Sequence, residues 1–196
     1  MRCLVVFCHP VKESFGAALR DRALAALGEA GHDLHLIDLY ADGFEPAMAA
    51  EEWQNYEKKG VNEEPVVEHV RWLRWAEMIV FVYPTWWYGL PAMLKGWLDR
   101  AFVPFVAFDI PTDDNPRAAP KLTHIKKIAV VTTCGATWWW SKLIGEPGRK
   151  TILRGIRVLC AKRCKSKYLA LYKMDLVDEP KRQRYLEKVY RTLKSF

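Results

Sequence analysis

Three short runs constrain this chain more than anything else in it: residues 2–8 (RCLVVFC), 78–83 (MIVFVY) and 127–133 (KIAVVTT). None shows the in-out alternation of a strand with one wet face, so each predicts a strand buried on both sides. Strands of that kind lie inside parallel sheets, whose neighbours must be joined by crossover connections. The sequence between the runs supplies them. Residues 14–30 place Leu19, Ala23, Leu24 and Leu27 at helical spacing, with Ser14 as N-cap and Gly31 just past the end. Residues 66–75 and 91–102 read as helices, the second with Pro91 at its first position. Residues 33–39 and 168–172 add two strands, and 144–158 a helix with several arginines. A last helix, 179–193, carries Tyr185, Val189 and Leu193 on one apolar face. Two stretches stay irregular: 40–65, which holds Trp53 and Tyr56, and a polar, Pro-rich connection at 110–120. The expectation is an α/β fold over residues 1–196 as one domain: a doubly wound five-stranded parallel sheet with helices on both faces. Such sheets bind ligands outside the carboxyl ends of their strands.

Composition narrows the setting. At 196 residues with 51% hydrophobic side chains, the chain can bury one sizeable core. Its five cysteines, Cys3, Cys8, Cys134, Cys160 and Cys164, suggest neither a disulfide framework nor a metal site, which points to a reducing, cytoplasmic setting. The opening apolar run is too short for an export signal. The longest apolar stretch, 78–94, contains Pro84, Gly89 and Pro91 and falls short of the roughly 20 residues a membrane span needs. The net charge of +7 is unevenly spread: residues 1–120 hold 11 Lys and Arg against 18 Asp and Glu, residues 121–196 hold 19 against 5. A basic part like this can face water, a phosphate-bearing cofactor or an anionic membrane surface. No nucleic-acid-binding motif accompanies it, so nucleic acid is not an expected partner.

Three turns follow directly on buried strands. The first, residues 9–16 (HPVKESFG), ends at a helix start, where free backbone N–H groups and the positive end of the dipole favour an anion. Ser14 and Lys12 would add donors, although an ordinary N-cap explains Ser14 as well. The second, 84–90 (PTWWYGL), sets Trp86, Trp87 and Tyr88 where a plain connection uses small polar residues; a planar ligand or a packing partner would account for them. The third, 132–137 (TTCGAT), brings hydroxyls beside Gly135, which lets backbone donors approach a ligand closely. Trp138, Trp139 and Trp140 follow, with one or two of them expected at a pocket and the rest in the core. Neither GxGxxG nor GxxxxGK[ST] occurs, and HExxH and GxSxG are missing too, so dinucleotide-fingerprint, P-loop and hydrolase readings lose ground. Cys134 has no histidine near it in sequence and reads as a small turn residue rather than a nucleophile.

Together the three turns resemble those of the flavodoxin-like NAD(P)H:quinone oxidoreductases, a family that includes quinone reductases and modulator-of-drug-activity proteins. HPxxxSF at 9–15 is similar to its flavin-phosphate loop, YPTWWYGLPAMLKGWLDRAF at 83–102 to its most characteristic segment, and TTCGA at 132–136 to its third flavin-contacting turn. The resemblance implies a flavodoxin-like fold and a flavin held without a covalent bond, FMN in preference to FAD. The flavin phosphate is then expected at His9, Ser14, Phe15 and Gly16, and the ring beside Pro84, Thr85, Trp86, Trp87 and Tyr88. Its pyrimidine edge falls near Thr132, Thr133, Cys134 and Gly135. NADH or NADPH would be the donor and a quinone-like small molecule the acceptor, in a two-electron ping-pong cycle over a pocket of Trp87, Trp138 and Trp140. A homodimer is implied, with the loop carrying Trp53 and Tyr56 meeting the partner, and peripheral contact with a membrane is compatible with the basic part. Gly16 departs from the Asn of many members. Trp140 and Glu146 stand where longer quinone reductases have the Tyr and His of a proposed proton relay, so the flavin carries the chemistry and these two are the side-chain candidates left. Azo or nitro reduction, and a regulatory role as ancillary subunit of a potassium-efflux system, are the alternatives.

Overall fold

The computed structural model describes residues 1–113 and 116–196. In chain order the strands are β1 (Arg2–Phe7), β2 (Asp33–Asp38), β3 (Met78–Thr85), β4 (Phe108–Asp109), β5 (Ala119–Pro120), β6 (Lys127–Cys134) and β7 (Lys165–Tyr172). Five of them form one parallel sheet in the order β2-β1-β3-β6-β7, and β4 with β5 make a separate two-stranded pair. The helices are α1 (Phe15–Glu29), α2 (Ala50–Gln54), α3 (Val67–Trp75), α4 (Ala92–Ala101), α5 (Trp138–Ile144), α6 (Pro147–Lys150) and α7 (Glu179–Lys194).

The absence of alternation in the strand sequences has its cause here. Leu4, Val6, Ile79, Phe81 and Val130 belong to one buried cluster, with side chains of α3 and α4, while Val5, Val80 and Val131 belong to another, with α1 and α7. Successive side chains of a strand point to opposite faces, and both faces are covered. The strand order reverses between β1 and β3, which places a ligand crevice at their carboxyl ends.

The segment 40–65 packs rather than wanders. It contains α2, and the Arg100 guanidinium of α4 reaches back to Glu52 with two bonds of 2.7 Å and to the Glu45 carbonyl. Close approach is allowed by Gly96: a Cβ there would stand 2.5 Å from Pro46 Cβ and nearer still to the Pro46 carbonyl oxygen. Beneath this contact Trp97 is fully buried, edge-on to Phe81 and Phe102.

The expected helix at 144–158 does not form as one element. The chain turns helical earlier than the apolar pattern suggested, at Trp138 rather than 144, because Thr137 caps α5 by accepting the Trp140 N–H. The chain then turns at Gly145 and Glu146, with φ of 95° and 47°, and restarts at Pro147. Residues 151–156 widen into a π-helix and 157–159 tighten into a 3-10 turn. Pro91 is the N-cap of α4 rather than its first helical residue. β7 begins at Lys165, earlier than expected, because an edge strand tolerates the Lys-Ser-Lys stretch that a buried one would not. Within the 110–120 connection, Asp114 and Asn115 lie outside the described residues.

Gly96→Ala tests how the 40–65 segment is docked. It should cost about 1–3 kcal/mol through overpacking against Pro46, read as a lower midpoint in urea unfolding at unchanged slope.

Candidate functional site

At the first turn the structure has a free helix N-terminus. Ser14 caps α1 by accepting the Ala17 N–H at 3.1 Å, and no acidic side chain occupies the first turn. The N–H groups of Phe15 and Gly16 have no helical partner and remain available to an anion. His9 accepts the Val11 N–H on Nδ1 at 3.0 Å, which leaves its proton on Nε2 as a donor. Burial holds the His9 imidazole below its usual value, so it is neutral at pH 7. The first turn of α1 packs closely against this ring: a Cβ on Gly16 would come within 3.1 Å of His9 Cδ2.

The second turn is a tight one. Gly89 N–H donates to the Trp86 carbonyl at 2.9 Å, and the two central residues, Trp87 and Tyr88, have φ of 48° and 61°. Positive φ at both central positions defines the type I′ class, which normally draws Asn or Gly. Two large aromatic residues in this conformation cost about 1–2 kcal/mol each. The surroundings hold them there. Tyr88 Oη accepts the Trp140 Nε1 proton at 2.9 Å, and Gly148 lies so close beneath the turn that a Cβ on it would stand 3.0 Å from the Gly89 carbonyl carbon. Trp87 is 95% exposed.

The third turn meets the second across the sheet, because Thr85 pairs with Cys134 in the β3–β6 register. Thr85 and Thr132 share a hydroxyl–hydroxyl bond of 2.9 Å, and Cys134 Sγ lies 3.5 Å from Ser141 Oγ. Between the turns lies a cleft of about 230 Å³ lined by Thr85, Trp87, Tyr88, Cys134, Gly135 and Ala136. A larger surface hollow of about 600 Å³ runs between α1 and α7. It lies on a helical face away from the strand ends and its walls include the Arg22–Glu187 ion pair, so it is a seam between helices rather than the crevice the sheet topology creates.

Below the aromatic turn sits Glu146, 6% exposed and left-handed. It accepts from Lys142 at 2.5 Å, Arg149 at 2.9 Å and the Tyr172 hydroxyl at 2.5 Å. Burial opposes its charge, but these donors outweigh burial and hold its carboxyl below the usual 4.5. It is a carboxylate at neutral pH and holds no proton to give.

Of the sequence-derived site residues, Thr85, Trp87, Tyr88, Cys134 and Gly135 come together in the cleft. His9, Ser14, Phe15 and Gly16 stand at the same end of the sheet, where Cys8 N–H bonds to the Val82 carbonyl. Pro84 and Thr132 are buried within their strands and Thr133 is half-buried, so these frame the cleft rather than line it. Trp86 is 43% exposed on the flank. Trp140 reaches the cleft through Tyr88, whereas Trp138 lies outside the cleft lining, 60% exposed with Lys142 over its ring. Sequence reading missed a fourth contributor, the turn after β7. Lys173 N–H bonds to the Ala136 carbonyl, and Asp175 Oδ2 comes within 2.9 Å of where a Gly135 Cβ would be. The Lys173 backbone, at φ 58°, leaves no mark in the sequence that would have flagged it.

The sheet order and the crevice at its reversal define an α/β protein of the doubly wound class. The chain belongs to the Flavodoxin_2 family, flavodoxin-like fold, which it matches over residues 1–194. It is 39% identical over 101 residues to an uncharacterized NAD(P)H oxidoreductase of Haemophilus influenzae, covering 51% of this chain and 50% of that one. It is 29% identical over 153 residues to rat NAD(P)H dehydrogenase [quinone] 1, covering 69% of this chain and 54% of that one. The chain thus spans about half the length of the curated relatives it matches. Among solved structures it is similar to an NAD(P)H:quinone oxidoreductase from Methanothermobacter marburgensis, with a TM-score of 0.84 and 25% identity over 99% of this chain and 98% of that one. An azoreductase from Bacillus anthracis, 16% identical with a TM-score of 0.76 and full coverage of both chains, shares the fold. Among the described residues no helix is long and apolar enough to cross a membrane, and no group of three or more His, Cys, Asp or Glu side chains is placed to hold a metal ion.

Glu146→Gln should lower stability by about 1–3 kcal/mol at pH 7, since a neutral amide replaces a carboxylate that three donors stabilise. The folded-state value is depressed, so the stabilisation is complete above pH 4.5 and is lost as the pH falls through the folded value. The variant should therefore show a shallower loss of stability between pH 4.5 and acid than the parent, measured by urea unfolding across that range.

Proposed function

We propose that this chain is a flavin-dependent NAD(P)H:quinone oxidoreductase that holds FMN at the carboxyl ends of β1, β3 and β6. The observation that carries the reading is the cleft between the strained aromatic turn and the Cys134–Gly135–Ala136 backbone, with the open N-terminus of α1 at the same sheet end. The donor set fits such a group. Two free N–H groups, a neutral His9 donor and an uncompensated helix dipole suit a phosphate. Thr85 and the Gly135 backbone suit the polar edge of a flat heterocycle, and Trp87 and Tyr88 suit its faces.

A bound flavin would supply the acceptance and release of hydride, which no side chain here can perform. The chain's part is to bind, orient and shield. Phe15 and Gly16 N–H groups fix the phosphate end, which sets how far the ring reaches. The Gly135 backbone presents donors toward the charge that develops. Trp87 and Tyr88 form the wall against which donor and acceptor lie in turn, and the Trp140–Tyr88 bond keeps that wall upright. Glu146, being ionised, positions α5 and α6 rather than relaying a proton, so the acceptor takes its protons from solvent. The exposed Trp53, beside Tyr56 on the 40–65 segment, supports a homodimer in which that loop meets the second copy, and the five thiols, all free and buried, suit a cytoplasmic setting.

Absorbance spectroscopy tests the reading. The purified protein, or protein loaded with FMN, should show a flavin spectrum that NADH or NADPH bleaches without oxygen and benzoquinone restores. A protein that takes up neither FMN nor FAD would remove the flavin from the account. Trp87→Asn separates function from folding. Asn accepts the left-handed conformation, so stability should hold or rise by about 0.5–1 kcal/mol, while quinone turnover falls about tenfold or more with loss of the stacking wall. Steady-state kinetics beside thermal unfolding reads both.

A further inference from the structure

The arginine-rich segment after α6 takes no part in the site above. Its π-helical turn, Thr151–Ile156, runs straight into a 3-10 turn, and widened turns of this kind re-aim side chains and recur at functional sites. Here Arg149, Lys150, Arg154 and Arg157 line one cleft of about 260 Å³, bounded on the sheet side by Ser166 of β7. A hollow of about 410 Å³ continues from it, sharing Leu153, Arg154 and Arg157 and adding Val158 and Ala161. The place is distinct from the carboxyl-end cleft, because Ser166 pairs with Ile128 at the amino end of β6.

A solvated helix face spreads its charges over a convex surface, whereas these four cations wall a concavity. The carboxylate in that wall, Glu146, is already engaged by Lys142, Arg149 and Tyr172. Arg157 Nε donates to the Cys164 carbonyl at 2.8 Å, which fixes its guanidinium and leaves the remaining N–H groups free. Among the described residues neither the Lys150 nor the Arg154 side chain has a hydrogen-bond or ion-pair partner. Lys150 is exposed but folds back over the corner: its Nζ lies 2.8 Å from the place of a Cβ on Gly145. Converging cations without counter-charge repel one another until an anion enters.

We propose that this cleft binds an organic phosphate. The phosphate or diphosphate group lies among Arg149, Lys150, Arg154 and Arg157 with Ser166 as a further donor, and the organic remainder lies along Leu153, Val158 and Ala161. Guanidinium forks grip phosphate oxygens two at a time, which suits the group to this wall. The phosphate belongs either to a soluble organic ester or to the headgroup of an anionic lipid.

Thermal unfolding of the intact protein with inorganic pyrophosphate, against sodium chloride matched for ionic strength, tests the site. The parent and Lys165→Gln/Lys167→Gln, which loses the same charge from the edge strand, should both rise in Tm with pyrophosphate. Lys150→Gln/Arg154→Gln should need about tenfold or more pyrophosphate for the same rise. Those two side chains make no internal bond, and an unchanged Tm without ligand verifies that the variant folds. Equal responses of the two variants, or a rise that sodium chloride reproduces, would overturn the proposal and leave the arginines a solvated surface. Sedimentation with phosphatidylcholine vesicles, with and without phosphatidic acid, separates the two sources. Capture by phosphatidic acid that pyrophosphate displaces and Lys150→Gln/Arg154→Gln abolishes assigns a lipid headgroup; pyrophosphate binding without capture assigns a soluble ester.

Discussion

The aromatic wall of the cleft rests on a buried carboxylate that never touches it. Glu146 gathers Lys142 from α5, Arg149 from α6 and the Tyr172 hydroxyl from β7, and its own left-handed backbone ends one helix and starts the next. That corner puts Gly148 directly beneath the turn at 86–89, where its N–H faces the Tyr88 carbonyl at 3.4 Å. The strained conformation of Trp87 and Tyr88 persists because this floor and the Trp140 bond over-determine it. A three-donor carboxylate is thus converted, through one corner of backbone, into the orientation of two aromatic rings.

The opposing demands of stability and function are kept on separate elements. The sheet interior carries the stability: both faces of β1, β3 and β6 are sealed by helices, and the largest buried side chains, among them Trp97, Phe7 and Phe81, lie in these layers. The strand ends carry the unfavourable features, namely Trp87, Tyr88 and Lys173 at positive φ, the first of them 95% exposed. Rigid strands make such a site affordable, since the strain is confined to turns whose ends are fixed by the ladder.

What was legible in the sequence follows from where each element finds its partners. The central strands could be read because burial on two sides is written locally, in the composition of six or so consecutive residues. The turns could be read because aromatic residues and glycine after such a strand are unusual on local grounds. The region 138–159 was misread because its breaks depend on distant groups: Glu146 takes its conformation from Tyr172, which follows it by 26 positions. The signal that could have found the earlier helix was the pair Thr137 and Gly145, a hydroxyl cap and a left-handed stop bracketing the three tryptophans, whose own composition does not suggest a helix. The edge strand was read short for the opposite reason. Lys165 and Lys167 look unlike strand residues in a buried setting, yet at the rim of a sheet charged side chains protect the open edge.

The charge asymmetry of the chain has the same mixed origin. Part of the basic excess is met by the acidic first part, where Lys194 pairs with Glu29 across the α1–α7 seam and Lys126 with Glu77. Such exposed pairs contribute little to stability, so they account for where the charge is placed more than for how the fold is held. A second share, Lys142 and Arg149, is bound to Glu146 and serves the geometry of the aromatic turn. A third, at Lys165 and Lys167, guards the edge of β7. Lys150 and Arg154 fall in none of these groups. They are exposed yet line one cleft, where their like charges repel one another. What sets them apart from other cations unpaired among the described residues, such as Lys162 and Lys188, is convergence with Arg149 and Arg157 on one cleft, and that convergence is what calls for an anion.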